Sequence, residues 1–288
     1  MARKKAVASA DRTAARKAEV RKTAAKKPAP KRRALKTAGS KKKTAPAKPA
    51  SHGGKTADRA RVAKSSRVSK AELDARKAVI ETALKMSLGG LSPGRSGNVS
   101  VRWGKGMLIT PSGMAYDDIK PSDIVFVDGD GSFSARAKKP SSEWRFHLSA
   151  YQARPDKGAI VHTHSLHAVV LACAHKPIPA FHYMVALAGG DHIPLVPYAP
   201  FGTQELADYV AEGIGEIDAC LMANHGQIAL GNTLAQALEL AGEVEILAEQ
   251  YVKVLTLGLP RLLRRRQMQD VLERIKGYGQ HAQETKKT

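Results

Sequence analysis

Aromatic and large aliphatic residues are almost missing from the first quarter of this 288-residue sequence. Residues 1–70 contain no Phe, Trp or Tyr, and Leu35 is their only Leu or Ile. A segment of this composition cannot bury enough apolar surface to offset the chain entropy that is lost on folding. We therefore expect residues 1–68 to be a disordered tail rich in Lys, Ala and Pro. One folded domain is expected over residues 69–288.

Acidic residues are equally scarce in the first quarter, and this places the net charge of the chain there. The formal net charge is +21, and residues 1–70 hold 24 basic side chains against three acidic ones. The rest of the chain is balanced, which excludes a basic globular DNA-binding domain. A cationic tail of this kind can bind nucleic acid or polyphosphate non-specifically through counterion release. A solvated extension without a partner is the alternative.

The sequence also lacks a cysteine framework and long apolar runs. Its two cysteines, Cys173 and Cys220, lie far apart in apolar surroundings. We expect both to be small buried side chains in a reducing compartment. No run approaches the roughly 18 apolar residues that span a bilayer, and basic residues rather than the apolar core of a secretory signal follow Met1. These features predict a cytoplasmic protein with no membrane partner.

A capping-box pattern predicts where the folded domain starts. Ser69 and Glu72 fit the N-cap and N3 positions of a helix, which Gly89 ends. Later helices are predicted at 143–153, 165–174, 205–213, 234–257 and 271–276. Strands are predicted at 99–103, 106–110, 124–127, 159–163, 195–198, 219–222 and 227–230, with a hairpin turn at 128–131. The irregular order of these elements favours a three-layer or α+β sandwich over a doubly wound sheet.

One short motif has the spacing of a metal site. His162 and His164 stand two residues apart on a predicted strand, so their imidazoles face the same side. His225, in an Asn-His-Gly turn, could add a third imidazole, and Glu143 could add a carboxylate. Three imidazoles with a labile carboxylate form an open catalytic site for zinc or another divalent metal. The other histidines, His147 among them, are expected to be structural or surface residues.

Three short polar turns have the composition of an anion-binding site. Their backbone N–H groups and hydroxyls, together with a helix N-terminus, can hold a phosphate without Arg or Lys. The residues concerned are Gly97, Asn98, Ser112, Gly113, Ser141 and Ser142. Each turn taken alone is equally compatible with ordinary capping and turn chemistry.

Read in order, these pieces resemble the class II aldolase/adducin family over roughly residues 70–280. The segments that carry the resemblance are SGNVSVR (96–102), MLITPSG (107–113), KPSSEWRFHLSAYQARPD (139–156), VHTHSLH (161–167), IPAFHYMVALAGG (178–190), PYAPFGTQEL (197–206), NHG (224–226) and EVEILAEQY (243–251). The basic tail has no counterpart in the family. The resemblance implies an α/β/α sandwich around a mostly antiparallel sheet.

The resemblance also implies roles for individual residues. Glu143, His162, His164 and His225 correspond to the ligands of one Zn²⁺ per subunit, and Glu143 is also the acid/base. The three polar turns named above correspond to the phosphate cradle. Tyr183 corresponds to a tyrosine that reaches from a neighbouring subunit toward the aldehyde oxygen of the substrate. Phe201 and Tyr278 correspond to aromatic residues of the pocket wall. The family assembles as a homotetramer with its sites between subunits.

The implied reaction is the zinc-dependent cleavage of a ketose 1-phosphate, such as L-fuculose 1-phosphate or a related sugar phosphate. Its products are dihydroxyacetone phosphate and an aldehyde. Three alternatives stay open: an aldolase for 5-deoxy- or 5-methylthio-pentulose phosphates, a dehydratase of the same superfamily, and a catalytically reduced scaffold that the tail tethers to polyanions. Sugar-phosphate epimerases of the superfamily carry Asp where this chain has Glu143, which favours an aldolase.

Overall fold

The computed structural model describes residues 68–276, in which a seven-stranded sheet lies between two layers of helices. The helices are α1 (Lys70–Leu88), α2 (Trp144–Ala153), α3 (Leu166–Cys173), α4 (Gln204–Ile214), α5 (Leu234–Leu257) and α6 (Arg265–Ile275). The strands are β1 (Asn98–Trp103), β2 (Gly106–Ile109), β3 (Val125–Val127), β4 (Ala159–Thr163), β5 (Leu195–Val196), β6 (Ala219–Met222) and β7 (Gly226–Gly231).

The sheet places three strand ends side by side. Its order is β3-β2-β1-β4-β7-β6-β5, and every neighbouring pair is antiparallel except β5 and β6. Because β1 and β7 both run antiparallel to the central strand β4, the start of β1, the end of β4 and the start of β7 meet at one end of the sheet. Asn98 is the Cα partner of His162, and Gln227 is the partner of Thr163.

Both faces of the sheet are buried, and successive residues of each strand point to opposite cores. Along β4, Val161 packs into the core formed with α1, α3 and α5, whereas Ile160 packs into the core formed with α2 and α4. All five residues of β4 are buried, as expected for a central strand covered on both sides. The predicted α/β/α sandwich with a mostly antiparallel sheet is confirmed.

The first described helix begins at the predicted N-cap. The Ser69 hydroxyl accepts a hydrogen bond from the Glu72 backbone N–H at 3.1 Å, while the Glu72 carboxylate pairs with Arg76 at 2.6 Å. Ser69 therefore caps the helix, and Glu72 stabilises its next turn. The predicted tail lies outside the described residues, apart from Val68.

Three sequence predictions were wrong in detail. Cys173 is exposed, because it closes α3 on its solvent side; Cys220 is buried as expected. Residues 128–131 form a turn but no hairpin, since β3 pairs only with β2 at the edge of the sheet. The last helix, α6, begins at Arg265 rather than near 271. Among residues 68–276, no helix is both long and apolar enough to cross a membrane.

Candidate metal centre and active site

The three predicted imidazoles meet at the end of the sheet where β4 stops. His162 is inside β4, His164 stands one residue past its end, and His225 lies in the turn between β6 and β7. The Nε2 atoms of His162 and His164 are 3.0 Å apart. The ring of His225 lies 5.0 Å from that of His162 and 4.9 Å from that of His164, measured between centroids. Strand pairing thus brings together histidines that are about 60 residues apart in sequence.

Glu143 brings the fourth ligand atom from the opposite side. It is the N-cap residue of α2, and the Ser141 hydroxyl accepts its backbone N–H at 3.3 Å. Its Oε1 lies 2.8 Å from His225 Nε2, and its Oε2 lies 3.2 Å from His162 Nε2. One atom from each of Glu143, His162, His164 and His225 falls within 4.8 Å of the others.

This donor set fits a divalent metal ion. The Nδ1–H of His162 donates to the Gln227 carbonyl at 2.8 Å, which leaves its Nε2 lone pair free to bind a metal. Two neighbouring ligand atoms of a tetrahedral zinc site lie roughly 3.3 Å apart, close to the separations found here. Three neutral imidazoles with one carboxylate suit zinc and several other divalent ions.

The electrostatics of the cluster favour an ionised Glu143 and a neutral His164. Burial alone would raise the pKa of Glu143, but the imidazoles of His162 and His225 outweigh it, and the net pKa lies below its usual range. Burial, reinforced by His162 and His225, lowers the pKa of His164 to about 3. An ionised carboxylate and neutral imidazoles are the forms that bind metals.

A cavity of about 350 Å³ opens beside the cluster. It is lined by Arg95, Ser96, Gly97, Asn98, Pro111, Ser112, Gly113, Ser141, Ser142, Glu143, His164, Tyr198, Ala199, Phe201, Asn224 and His225. The six residues of the predicted phosphate cradle are all among them. Three chain segments that are separate in sequence therefore present their hydroxyls and backbone to one cavity next to the four candidate metal ligands.

Arg95 also lines this cavity, and sequence reasoning missed it. Its Nη1 donates to the Gly113 carbonyl at 3.2 Å and so links two of the polar turns. Among the lining residues it is the sole arginine or lysine. The available signal was its place three residues before Asn98, in the loop that leads into β1.

Close packing fixes the loop that carries Arg95. A Cβ on Gly97 would lie 2.5 Å from Ser92 Oγ and 2.7 Å from the His162 carbonyl oxygen, so this position has no room for a side chain. The buried Tyr116 hydroxyl donates to the Gly97 carbonyl at 2.7 Å. The loop is thereby held directly against the strand that carries His162.

Asn98 is only 3% exposed, and its side chain is already engaged with protein groups. Its Nδ2 donates to Glu143 Oε2 at 2.8 Å, and its Oδ1 contacts the imidazole of His147. Any contribution of Asn98 to phosphate binding therefore comes together with its contact to the Glu143 carboxylate.

The predicted aromatic residues differ in their placement. Phe201 lies at the rim of the cavity and is 70% exposed. Tyr183 is 52% exposed at the start of a 3₁₀ helix and does not line the cavity of its own chain. Tyr198, which sequence reasoning did not single out, lines the cavity next to Ala199. Tyr278 lies outside the described residues.

Comparison with known proteins gives a consistent match. The sequence model of the class II aldolase and adducin N-terminal domain matches residues 77–252. The L-fuculose phosphate aldolase of Haemophilus influenzae is 53% identical over 208 residues, covering 72% of this chain and 96% of that protein. The 5-methylthioribulose-1-phosphate/5-deoxyribulose-1-phosphate aldolase of Rhodospirillum rubrum is 50% identical over 208 residues, covering 72% and 94%.

The fold comparison agrees with the sequence comparison. A solved structure of an L-fuculose 1-phosphate aldolase superimposes with a TM-score of 0.68 at 39% identity. The match covers 70% of this chain and 96% of that one. It therefore extends over nearly the whole of the relative and leaves part of this chain unmatched.

Proposed function

Since the chain belongs to the class II aldolase and adducin family and has the lyase activity of that family, we propose that it cleaves a ketose 1-phosphate to dihydroxyacetone phosphate and an aldehyde. L-Fuculose 1-phosphate is the first candidate substrate. One observation carries the proposal: four metal-binding side chains converge within 4.8 Å beside a cavity lined by hydroxyls and turn backbone.

The proposed cofactor is one Zn²⁺ per subunit, held by Glu143, His162, His164 and His225. A divalent ion bound there supplies Lewis-acid polarisation of the substrate carbonyl. A Schiff base is the other way to activate a ketone and needs a lysine. The described cavity has no lysine in its lining, which favours the metal-dependent route.

The proposed proton transfers use two side chains. In the synthetic direction, the ionised Glu143 removes a proton from the carbon of dihydroxyacetone phosphate that becomes C3, and the electron pair left there forms the bond to the aldehyde carbon. Tyr183 of a neighbouring subunit gives its phenolic proton to the aldehyde oxygen, which becomes the C4 hydroxyl. The proton on Glu143 then passes through solvent back to Tyr183, so both groups return to their starting states. Cleavage runs the same steps in reverse and ends with dihydroxyacetone phosphate and the aldehyde.

The phosphate group is assigned to the polar turns. The backbone and side chains of Gly97, Ser112, Gly113, Ser141 and Ser142 offer neutral donors on one wall of the cavity. Asn98 joins them at the point nearest Glu143. The carbon chain of the aldehyde then extends toward Phe201, with Tyr278 as a further proposed wall residue.

A second substrate has nearly equal support from the relatives. The aldolase for 5-methylthioribulose and 5-deoxyribulose 1-phosphates is 50% identical, against 53% for the fuculose enzyme. These sugars share the 1-phosphate and the C3–C4 bond and differ in the aldehyde fragment. Selectivity between these substrates is therefore assigned to the outer wall of the cavity rather than to the metal ligands.

We further propose a homotetramer whose sites lie between subunits, acting in the cytoplasm. The exposed position of Tyr183, outside the cavity of its own chain, agrees with a site completed by a neighbour. The basic segment 1–68 is proposed to bind nucleic acid or polyphosphate non-specifically, because it carries +20 of the net charge of +21. Four such segments on one tetramer would add avidity.

The test is a retro-aldol assay on zinc-loaded protein with a panel of ketose 1-phosphates: fuculose, rhamnulose, ribulose, 5-deoxyribulose and 5-methylthioribulose derivatives. Release of dihydroxyacetone phosphate from one of them is expected, with loss of activity in Glu143→Gln and His162→Ala. Glu81→Gln, at an exposed carboxylate on α1, is the matched control and should keep full activity. A metal-loaded protein that cleaves none of the panel would overturn the proposal.

A further inference from the structure

A buried histidine lies one helical turn after Glu143, outside the set of metal ligands. His147 is fully buried on the face of α2 that packs against the sheet. Its Nδ1 lies 2.8 Å from Ser100 Oγ, and its Nε2 contacts Asn98 Oδ1. The Ser100 hydroxyl lies 3.0 Å from the hydroxyl of Tyr151, which is also buried. A chain of hydrogen bonds thus leads from the core to Asn98, and from Asn98 to Glu143.

The donor and acceptor properties of these groups fix the direction of each hydrogen bond in this series. An ionised carboxylate only accepts hydrogen bonds, so Asn98 must turn its NH₂ group to Glu143 and its oxygen to His147. His147 must then carry its proton on Nε2 and donate it to that oxygen. Its Nδ1 is left as an acceptor for the Ser100 hydroxyl, which in turn can accept from Tyr151. Each donor therefore faces an acceptor along the whole chain.

We propose that His147 is a positioning residue of the aldolase reaction, which fixes the Asn98 amide so that its NH₂ group rather than its oxygen faces the Glu143 carboxylate. The proposal rests on the proposed function only in taking Glu143 as the acid/base. The His147 side chain does not line the cavity, and its hydrogen-bond partners are Ser100 and Asn98 rather than the Glu143 carboxylate.

The alternative orientation of Asn98 shows what His147 prevents. With the amide rotated by half a turn, its oxygen would face Glu143 Oε2 at the present 2.8 Å separation, and two acceptors would repel each other. The buried amide has no solvent to compensate for that loss. Phe146 stacks on the His147 ring at 4.9 Å between centroids and fixes the plane of the imidazole. The Nε2–H group of His147 therefore fixes the orientation of the Asn98 amide at the end of the amide that faces away from Glu143.

The environment of His147 agrees with a neutral ring that carries a single proton. Burial, followed by the nearby His162, lowers its pKa to about 3. A neutral imidazole has one donor and one acceptor nitrogen, as this chain requires.

The first readout uses the protein alone. Long-range ¹H–¹⁵N correlation on zinc-loaded protein with ¹⁵N-labelled histidine is expected to show His147 as the Nε2–H tautomer. The same tautomer should persist without any substrate, so the result stands apart from the choice of sugar phosphate. An Nδ1–H tautomer at His147 would overturn the inference even if the aldolase assay succeeds.

The second readout separates positioning from stability. His147→Leu removes the donor, whereas His147→Gln can keep an N–H near the position of Nε2. We expect His147→Leu to lower kcat by roughly tenfold or more, with KM nearly unchanged. This factor corresponds to the loss of one hydrogen bond to a charged group, the bond from Asn98 to the Glu143 carboxylate. His147→Gln should restore most of kcat. His192→Leu, at an exposed histidine paired with Asp191, is the matched control.

The decisive comparison is made in an Asn98→Ala background, with rates expressed per folded, metal-loaded subunit. If His147 acts through Asn98, His147→Leu has no further effect on kcat there. An equal loss of kcat in both backgrounds, or a lower Tm with unchanged kcat, would overturn the inference. If the wild-type protein cleaves no ketose 1-phosphate while His147 shows the expected tautomer, the proposed function is wrong. The hydrogen bonds from His147 to Asn98 and from Asn98 to Glu143 would still be supported.

Discussion

Asn98 and His162 are Cα partners across β1 and β4, so the residue that hydrogen-bonds the Glu143 carboxylate lies directly opposite a proposed metal ligand. Asn98 is the first residue of its strand and His162 is the last but one of its own. The antiparallel register therefore places the loop before β1, to which we assign the phosphate, beside the proposed metal ligands at the end of β4. Sheet topology, rather than any single motif, joins the two halves of the site.

Metal removal should abolish activity and lower stability together. Four side chains from opposite walls of the site are proposed to bind the metal together, so a chelator is expected to reduce Tm as well as kcat. Binding at 100 times Kd contributes about 2.7 kcal/mol to the free energy of unfolding. Thermal unfolding with and without EDTA, followed by zinc addition, measures this. His162→Ala should show little response to EDTA; an unchanged Tm of the wild type on metal removal would contradict the prediction.

The convergence of Glu143 with three histidines could be predicted because the sequence carries the spacing of the histidines. His162 and His164 stand two residues apart on a strand, and His225 lies in a turn that Gly226 permits. Asn98, His147 and Arg95 show why other parts could not. Their roles depend on contacts between segments some 18 to 49 residues apart, and each residue type alone also fits an ordinary structural role. The prediction that Cys173 is buried was wrong for a related reason: apolar neighbours in sequence do not tell which side of a helix faces solvent.

Arg95→Ala should raise KM for a ketose 1-phosphate with little change in kcat. Arg95 is the one arginine or lysine in the lining of the described cavity, and its hydrogen bond to the Gly113 carbonyl holds it at the polar turns to which we assign the phosphate. Because Arg95 is exposed, we expect an increase of about tenfold, the lower end for a hydrogen bond to a charged group. The KM of Arg95→Lys should lie between those of the wild type and Arg95→Ala. Arg136→Ala, an exposed arginine outside the cavity, should leave KM unchanged; equal effects of the two alanine variants would contradict a specific role.

Gly226→Ala should weaken both the fold and the metal site. A Cβ there would lie 2.4 Å from the Thr163 carbonyl oxygen and 3.0 Å from His164 Cδ2, so β7 would have to move away from β4. The free energy of unfolding is expected to fall by about 1–3 kcal/mol, as at other overpacked positions. Urea unfolding and a chelator competition measure the two effects. Gly242→Ala is the control: it meets nothing within 4 Å in α5 and should stabilise the protein by up to about 1 kcal/mol.

The two cysteines should react with a thiol reagent at very different rates. Cys173 is exposed at the end of α3, whereas burial raises the pKa of the Cys220 thiol to about 12. One thiol per chain is therefore expected to react rapidly with Ellman's reagent in the native protein and two in denaturant. Cys173→Ser should remove the rapid phase. A rapid phase that remains in this variant would contradict the burial of Cys220.

Deleting residues 1–68 should abolish binding to heparin or duplex DNA and leave aldolase activity unchanged. The segment carries +20 of the formal net charge of +21, and the rest of the chain is nearly balanced. Binding by the full-length protein should weaken steeply between 50 and about 200 mM salt, because phosphate contacts release counterions. Fluorescence anisotropy with labelled DNA at several salt concentrations measures both effects. Binding that persists after the deletion, or that salt does not affect, would contradict an electrostatic role for this segment.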